Sequence, residues 1–482
     1  MSSAPSLAEA TTGRPVDQRW IALTFIALAQ LMIALDATIV SIALPSAQQA
    51  LRASDAERQW VITAYTLAFA GLLLVGGRIA DTIGRKRTFV IGLAGFALAS
   101  MLGGSAGNFL VLLASRAAQG AFAALLAPTA LSLLAVTFTQ PRERARAFAV
   151  YGAIAGSGAA LGLLLGGVLT QYFGWRWCLY VNVPIAVAAA LGGWRVLGGS
   201  DGGHRQRLDI PGVLFATGGL VALVYACSDA VSSGWGSGRV IGFLVASAVL
   251  LGGFVLREMR TDAPLLPLQI VLDRNRGGAF LAAAFAIAGM FGAFLFLTYY
   301  LQVVLRYTPL QAGLAFLPLT LASQAGSWGI AGVLMPRVPA RWIMAPGALI
   351  AAAGMLILTQ IQPDSGYLTL VLPAEILLGL GIACVMAPAF NVGTRGVDPR
   401  QAGVAAATVN AATQIGASLG TALLNAIAAG ATAAYIGGTH SSAVSNPALV
   451  HGYAVATAWA AGILVLGAVT TAVLINAQTG RR

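Results

Sequence analysis

Three ionisable side chains, Asp36, Arg116 and Glu375, interrupt long apolar runs where few other charges occur. An ion at bilayer depth costs at least about 2.5 kcal/mol, so each must be paired, neutralised or hydrated. A carboxylate that burial disfavours and a neighbouring arginine favours can load a proton when it opens to water on one side and release it on the other. Asp36 is therefore a candidate proton carrier and Arg116 the group that sets its affinity; the alternative is a fixed ion pair that only ties two helices together. Glu375 reads either as a second proton site or cation attractor, or as a solvated group in the headgroup region.

Other chemistries lack their residues. The one lysine, Lys86, follows Arg85 rather than a glycine, which excludes a GK[ST] phosphate loop. Cys178, Cys227 and Cys384 lie in apolar stretches without CxxC or zinc spacing, and His204, His440 and His451 fall in expected loops. No metal and no cofactor is expected. An enzyme would need a nucleophile, base or ligand set converging at one depth, and a channel would need rings of like charge or filter repeats. Neither is visible.

The elements that must carry the three groups follow from composition. Of 482 residues, 58% are hydrophobic and 9% charged, far below the quarter usual in a soluble domain. The charges cluster between apolar runs of bilayer-spanning length. These runs predict an all-α polytopic membrane protein with fourteen helices, at 20–44, 60–79, 88–107, 109–138, 148–171, 177–197, 210–228, 240–256, 277–305, 312–335, 342–361, 369–392, 404–429 and 453–475. The polar start of the chain has no cleavable signal pattern, so the first run is expected to remain as a helix. With both termini cytoplasmic, 22 basic residues fall inside and five outside, and Arg116 lies within a helix. The net charge of +12 then records topology and not a nucleic-acid partner. From helix ends at Leu44, Phe109 and Thr369, the three ionisable groups are expected roughly 9 to 12 Å below the outer surface.

A loop Gly77-Arg-Ile-Ala-Asp81-Thr-Ile-Gly84-Arg85-Lys86-Arg87 follows the second helix, and a faint echo, from Gly332 to Arg337 and Arg341, follows the tenth. Their positions suggest two six-helix halves, 20–197 and 277–475, separated by a linker and an inserted helix pair at 198–276, with cytoplasmic tails at 1–19 and 476–482. Duplication with a binding site between the halves recurs in secondary transporters.

The chain resembles the fourteen-helix drug:proton antiporter branch of the major facilitator superfamily over essentially its whole length. The resemblance rests on Leu35-Asp36-Ala-Thr38-Ile-Val-Ser-Ile-Ala-Leu44-Pro45, the Gly77 to Arg87 loop, Arg116-Ala-Ala-Gln119-Gly120 and the glycines of helix 5. It implies a major facilitator fold, proton binding at Asp36 with Arg116 in the same relay, and a cytoplasmic gate at Gly77, Asp81, Gly84, Arg85, Lys86 and Arg87. The gate also has a direct physical reading, since Asp81 can pair with Arg85 or Arg87 while the glycines allow close backbone passage; the alternative is a charge cluster that only fixes orientation.

Gly158, Gly162, Gly166 and Gly167 suit tight helix packing. The family's antiporter signature has a proline in this helix, absent here, so its kink is not required and the direction of coupling stays open. Gln30, Gln119, Gln324, Asn410 and Gln414 are candidate polar anchors of a substrate cavity, with Phe294, Tyr299 and neighbouring Phe291, Phe296 and Tyr300 as aromatic walls. For each, a role in helix packing is the competing explanation. The expected function is proton-coupled efflux of hydrophobic or cationic drugs across the cell membrane by a monomer, without nucleotide; the alternatives are export of an endogenous metabolite, or proton symport of a small organic solute.

Overall fold

A computed structural model describes residues 16–138, 140–198, 209–261, 265–266, 268–397, 402–439 and 445–476. The expected linker beyond Gly198, His204, His440 and most of both tails lie outside these. Among the described residues there is helix and no strand. The helices are α1 Val16–Leu51, α2 Asp55–Ile83, α3 Arg85–Gly104, α4 Phe109–Thr137 and α5 Pro141–Tyr172. Then come α6 Trp177–Val196, α7 Ile210–Ser233, α8 Gly238–Glu258 and, after a short turn of helix at Leu268–Leu272, α9 Arg274–Val304. A broken α10 over 309–334 precedes α11 Arg341–Leu358, α12 Tyr367–Thr394, α13 Ala402–Thr439 and α14 Asn446–Leu474.

Eleven of these are long and apolar enough to cross a membrane; α5 adds a shorter apolar stretch, Ala160–Tyr172. Several ends differ from expectation for local reasons. Pro45 lies inside α1 and does not end it. Pro141 sits in the first turn of α5, where its missing N–H is not needed, so α5 begins before the expected 148. α10 is divided at Phe316 and again by a π-helical stretch, Gly326–Ala331. His451, expected in a loop, belongs to α14 and lies against the Tyr435 ring.

Small residues set the packing. An added Cβ at Gly76 would lie 2.0 Å from the Ala124 carbonyl oxygen, and one at Gly120 would lie 2.2 Å from that of Tyr65, so α2 and α4 cross backbone to backbone. Helices α1 to α6 pack among themselves, as do α9 to α14. The pair α7 and α8 packs together, with α7 also against α2 and α13. Thr217 on α7 donates to the Gly71 carbonyl of α2 at 3.1 Å. α8 leaves Ile241, Val245, Val249 and Leu256 exposed, as a lipid-facing helix does.

The turns before α2 and α10 repeat one design. Arg52 and Arg306 adopt left-handed φ of 52° and 59°, uncommon for residues other than glycine. Two residues after each stands an N-cap: Ser54 in a capping box with Glu57, and Thr308 in one with Gln311. Both turns carry the pattern Arg-x-Ser/Thr-x-x-Glu/Gln.

Candidate functional site

α1 carries Asp36 fifteen residues before Leu51, or about 22 Å along the helix, because α1 continues past Pro45. It is thus farther from that helix end than expected, and its side chain is fully buried. Arg116 Nη1 donates to Asp36 Oδ2 at 2.7 Å. Asp36 Oδ1 accepts from Gln119 Nε2 at 3.2 Å and from Asn182 Nδ2 at 2.7 Å. Arg116 also donates to Gln119 Oε1 at 2.8 Å and to the Val61 carbonyl at 3.1 Å, and its guanidinium stands 4.4 Å from the Tyr65 ring centre. Gln119 Nε2 completes the chain with Ser100 Oγ at 2.8 Å.

Arg116 and Gln119 are three apart on α4 and so share a face. The Gly120 to Tyr65 backbone contact brings α2 close enough for the Val61 carbonyl and the Tyr65 ring to reach the guanidinium. Five elements, α1, α2, α3, α4 and α6, thus build one enclosed polar cluster in an apolar surround. Hydrogen bonds and opposite charge compensate for the desolvation of each ion, and removal of either partner from such a pair typically costs about 3–5 kcal/mol.

α5 lies directly on α1 beside this cluster. Added Cβ atoms would meet Ala34 Cβ at 2.7 Å from Gly158, Leu35 O at 2.7 Å from Gly162, and Ile39 O at 2.9 Å from Gly166. Gly167 turns to α10, where a Cβ would stand 2.8 Å from Leu310 Cα.

Glu375 occupies a different place. It is fully buried in the first α-helical turn of α12, not solvated at an interface. Tyr367 donates to Glu375 Oε2 at 3.4 Å and to the Ala315 carbonyl at 2.6 Å, while Glu375 Oε1 is buried without a hydrogen-bond partner. No hydrogen bond among these joins it to Asp36.

The other singled-out residues scatter. Gln30 is half-buried and accepts from Tyr151 at 2.5 Å. Gln324, Asn410 and Gln414 are half-buried on α10 and α13. Phe294 is buried and stacked on Phe316 at 5.0 Å. In the Gly77 to Arg87 segment, Gly84 takes a φ of +95° between α2 and α3, and Thr88 donates to its carbonyl twice, both at 3.0 Å. Lys86 Nζ lies 5.0 Å from the Trp194 ring centre of α6. A Cβ on Gly77 would meet only Pro128, at an ordinary 3.8 Å, so Gly76 makes the tight crossing. The side chain of Asp81 lies outside those described.

Two groups escaped the sequence reading. Asn182 carries no charge and opens the second part of α6, so no depth or charge argument points to it. Arg58 reads as one of five loop cations on the outer side, yet it is buried. Its guanidinium stands 4.1 Å from the Tyr299 ring centre, and Nη2 donates to Asn425 Oδ1 at 3.4 Å. Around it, Tyr299 donates to Gln48 at 2.5 Å, Gln302 donates to the Ile42 carbonyl at 3.1 Å, and the Leu310 N–H to Gln171 at 3.3 Å. These contacts run from α1, α2 and α5 to α9, α10 and α13, and they close the end of the molecule that holds the α1–α2 turn.

Membrane-length helices around a buried, hydrogen-bonded ion pair, closed at one end by contacts between two helix sets, define a polytopic membrane transporter. The chain belongs to the Major Facilitator Superfamily, whose family model matches residues 26–421. It is 52% identical over 99% of its length, and 95% of the relative's, to the "Puromycin resistance protein pur8" of Streptomyces alboniger. It is 39% identical to the "Cephamycin export protein CmcT" of Amycolatopsis lactamdurans, with 84% of each chain covered. To the "Tetracenomycin C resistance and export protein" of Streptomyces glaucescens the identity is 34%, over 86% of this chain and 76% of that one. Among solved structures, the POT family transporter PepTSo shares the fold at a TM-score of 0.71 and 16% identity, with 96% of this chain and 98% of that one covered. Multiple membrane-spanning helices and membrane-exporter relatives place the protein in the cell membrane.

Proposed function

We propose that this protein exports hydrophobic or cationic antibiotics in exchange for protons, by alternating access between two six-helix bundles, 20–197 and 277–475. The observation that carries the reading is the enclosed Asp36–Arg116 pair in a chain whose relatives bear the names of antibiotic-resistance and export proteins. Protonation of Asp36 removes its charge, loosens its hold on Arg116 and changes the packing between α1 and α4; release of the proton on the other side restores the pair. One charge crossing 100 mV supplies about 2.3 kcal/mol, on the order of fifty-fold accumulation per proton.

In this reading fourteen helices cross the membrane with both termini in the cytoplasm, as the distribution of arginines favours. The closed end then faces out, and the Gly77 to Arg87 segment, with Asp81 and its basic residues, acts as a latch on the cytoplasmic side. Gln30, Gln324, Asn410 and Gln414 supply polar anchors to the substrate path. A susceptibility panel in an efflux-deficient host, starting with puromycin, tests the substrate class: expression of the intact protein raises inhibitory concentrations for several such compounds. Unchanged susceptibility to every antibiotic, despite membrane insertion, contradicts the reading.

Arg58 acts here as a closure on the outer side. Arg58→Gln removes a cation–π contact of about 0.5–2 kcal/mol, so outward opening rises on the order of two- to thirty-fold. A cysteine placed at Gln302 is expected to react correspondingly faster with an impermeant maleimide added outside. Glu375 offers an unpartnered carboxylate oxygen to a cation. Glu375→Gln is expected to lower resistance to cationic compounds by about tenfold, the value of one charge-assisted contact, while resistance to neutral ones holds; the same panel measures both.

A further inference from the structure

We infer that Asn182 is a positioning residue that serves both protonation states of Asp36 by turning over its side-chain amide. The inference rests on Asp36 as the proton carrier. A charged carboxylate only accepts hydrogen bonds, and here it receives them from Arg116, Gln119 and Asn182. Once protonated, one oxygen must donate, and a buried hydroxyl without an acceptor is costly. The Gln119 oxygen already accepts from Arg116. The Asn182 oxygen is buried without a partner.

A half-turn of the amide places Oδ1 where Nδ2 stands, 2.7 Å from Asp36 Oδ1. The donor to the carboxylate becomes the acceptor for the acid, and the terminal torsion of asparagine is broad and roughly two-fold. A hydronium ion loses one O–H bond as Asp36 Oδ1 gains one, water is left behind, and the cluster gains one positive charge. The titratable groups facing Asp36 are Arg116 from α4, Tyr65 from α2 and Cys178 from the start of α6, while α5 presents its glycines. Arginine does not deprotonate in proteins, and a phenol or thiol ordinarily titrates above neutral pH, so Asp36 is the group that changes charge.

Infrared difference spectra of the full-length protein in liposomes, taken between low and high pH with carbon-13 asparagine, separate the claims. The expected result is a protonated-carboxyl band lost in Asp36→Asn, together with a labelled amide band that changes in step with it and disappears in Asn182→Leu. A carboxyl band without any accompanying amide change overturns the role of Asn182 and leaves the proton carrier intact. Absence of the carboxyl band overturns the proton carrier and this inference with it. In transport, Asn182→Leu deprives the carboxylate of a charge-assisted donor and the acid of a weaker acceptor, so half-maximal efflux moves to higher pH by about one unit, and Asn182→Ser restores part of the shift. An unmoved pH profile in a well-expressed Asn182→Leu contradicts the inference.

Discussion

Asp36→Asn is expected to reduce antibiotic export to the level of cells that lack the protein, while the variant still reaches the membrane and elutes as a single species in detergent. Asparagine is nearly the same size, and its oxygen can still accept from Arg116. It cannot take up a proton, so the charge change that couples the gradient to the helices is gone. The remaining Arg116 charge is only partly compensated by the Val61 carbonyl, the Gln119 oxygen and the Tyr65 ring. Breaking a buried pair costs about 3–5 kcal/mol when nothing replaces the lost partner, so these contacts and the asparagine oxygen should hold the loss below that range. A lowered melting temperature with intact elution is therefore part of the expected result. Asp36→Glu keeps the proton site but adds a methylene to a closed cluster, and partial export is expected from it.

Gly162→Val is expected to abolish function by a different route. Even a single Cβ at this position lies 2.1 Å from Thr38 Oγ1, 2.7 Å from the Leu35 carbonyl oxygen and 3.2 Å from Leu35 Cα. The hydroxyl can rotate away, but the backbone of α1 cannot yield without moving Asp36, the next residue after Leu35. Overpacking of this kind costs about 1–3 kcal/mol for an added methylene, and valine adds more. The variant should show low abundance and a broadened elution profile, measured by fluorescence-detected chromatography. Gly158→Ala is the milder comparison, because its nearest neighbour is the Ala34 methyl group at 2.7 Å rather than backbone. Equal, wild-type abundance for Gly162→Val would remove the case that α5 fixes the position of Asp36.

What the sequence disclosed and what it withheld follow from charge. Asp36, Arg116 and Glu375 stood out because an ion in an apolar run is conspicuous; Gln119 stood out only as a polar group in a helix and as part of the Arg116 to Gly120 motif, and its bonds to Arg116 and Asp36 emerge from the fold. Asn182 is neutral and falls inside the expected sixth helix, 177–197, where an amide carries no charge to draw notice. Arg58 belongs to the start of α2, and only folding shows that Tyr299 and Asn425 cover it. Gly76 and Gly77 are adjacent, and the choice between them depends on the rotation of α2 against α4, which no run of small residues specifies. Pro45 misleads because proline usually ends a helix in water; a packed membrane bundle tolerates proline inside a helix, and α1 continues to Leu51. The paired capping boxes behind Arg52 and Arg306 were legible in principle, since both patterns are short and local, but the left-handed φ that both arginines share shows only in the structure.

The most direct test of the account is drug movement in proteoliposomes under an imposed pH gradient. With purified protein in liposomes made acidic inside, puromycin added outside should accumulate and the interior should lose protons in step. Liposomes carrying Asp36→Asn should show neither flux above protein-free vesicles. Accumulation at the wild-type rate in Asp36→Asn, or wild-type accumulation that ignores the gradient, would contradict a proton exchanged at Asp36.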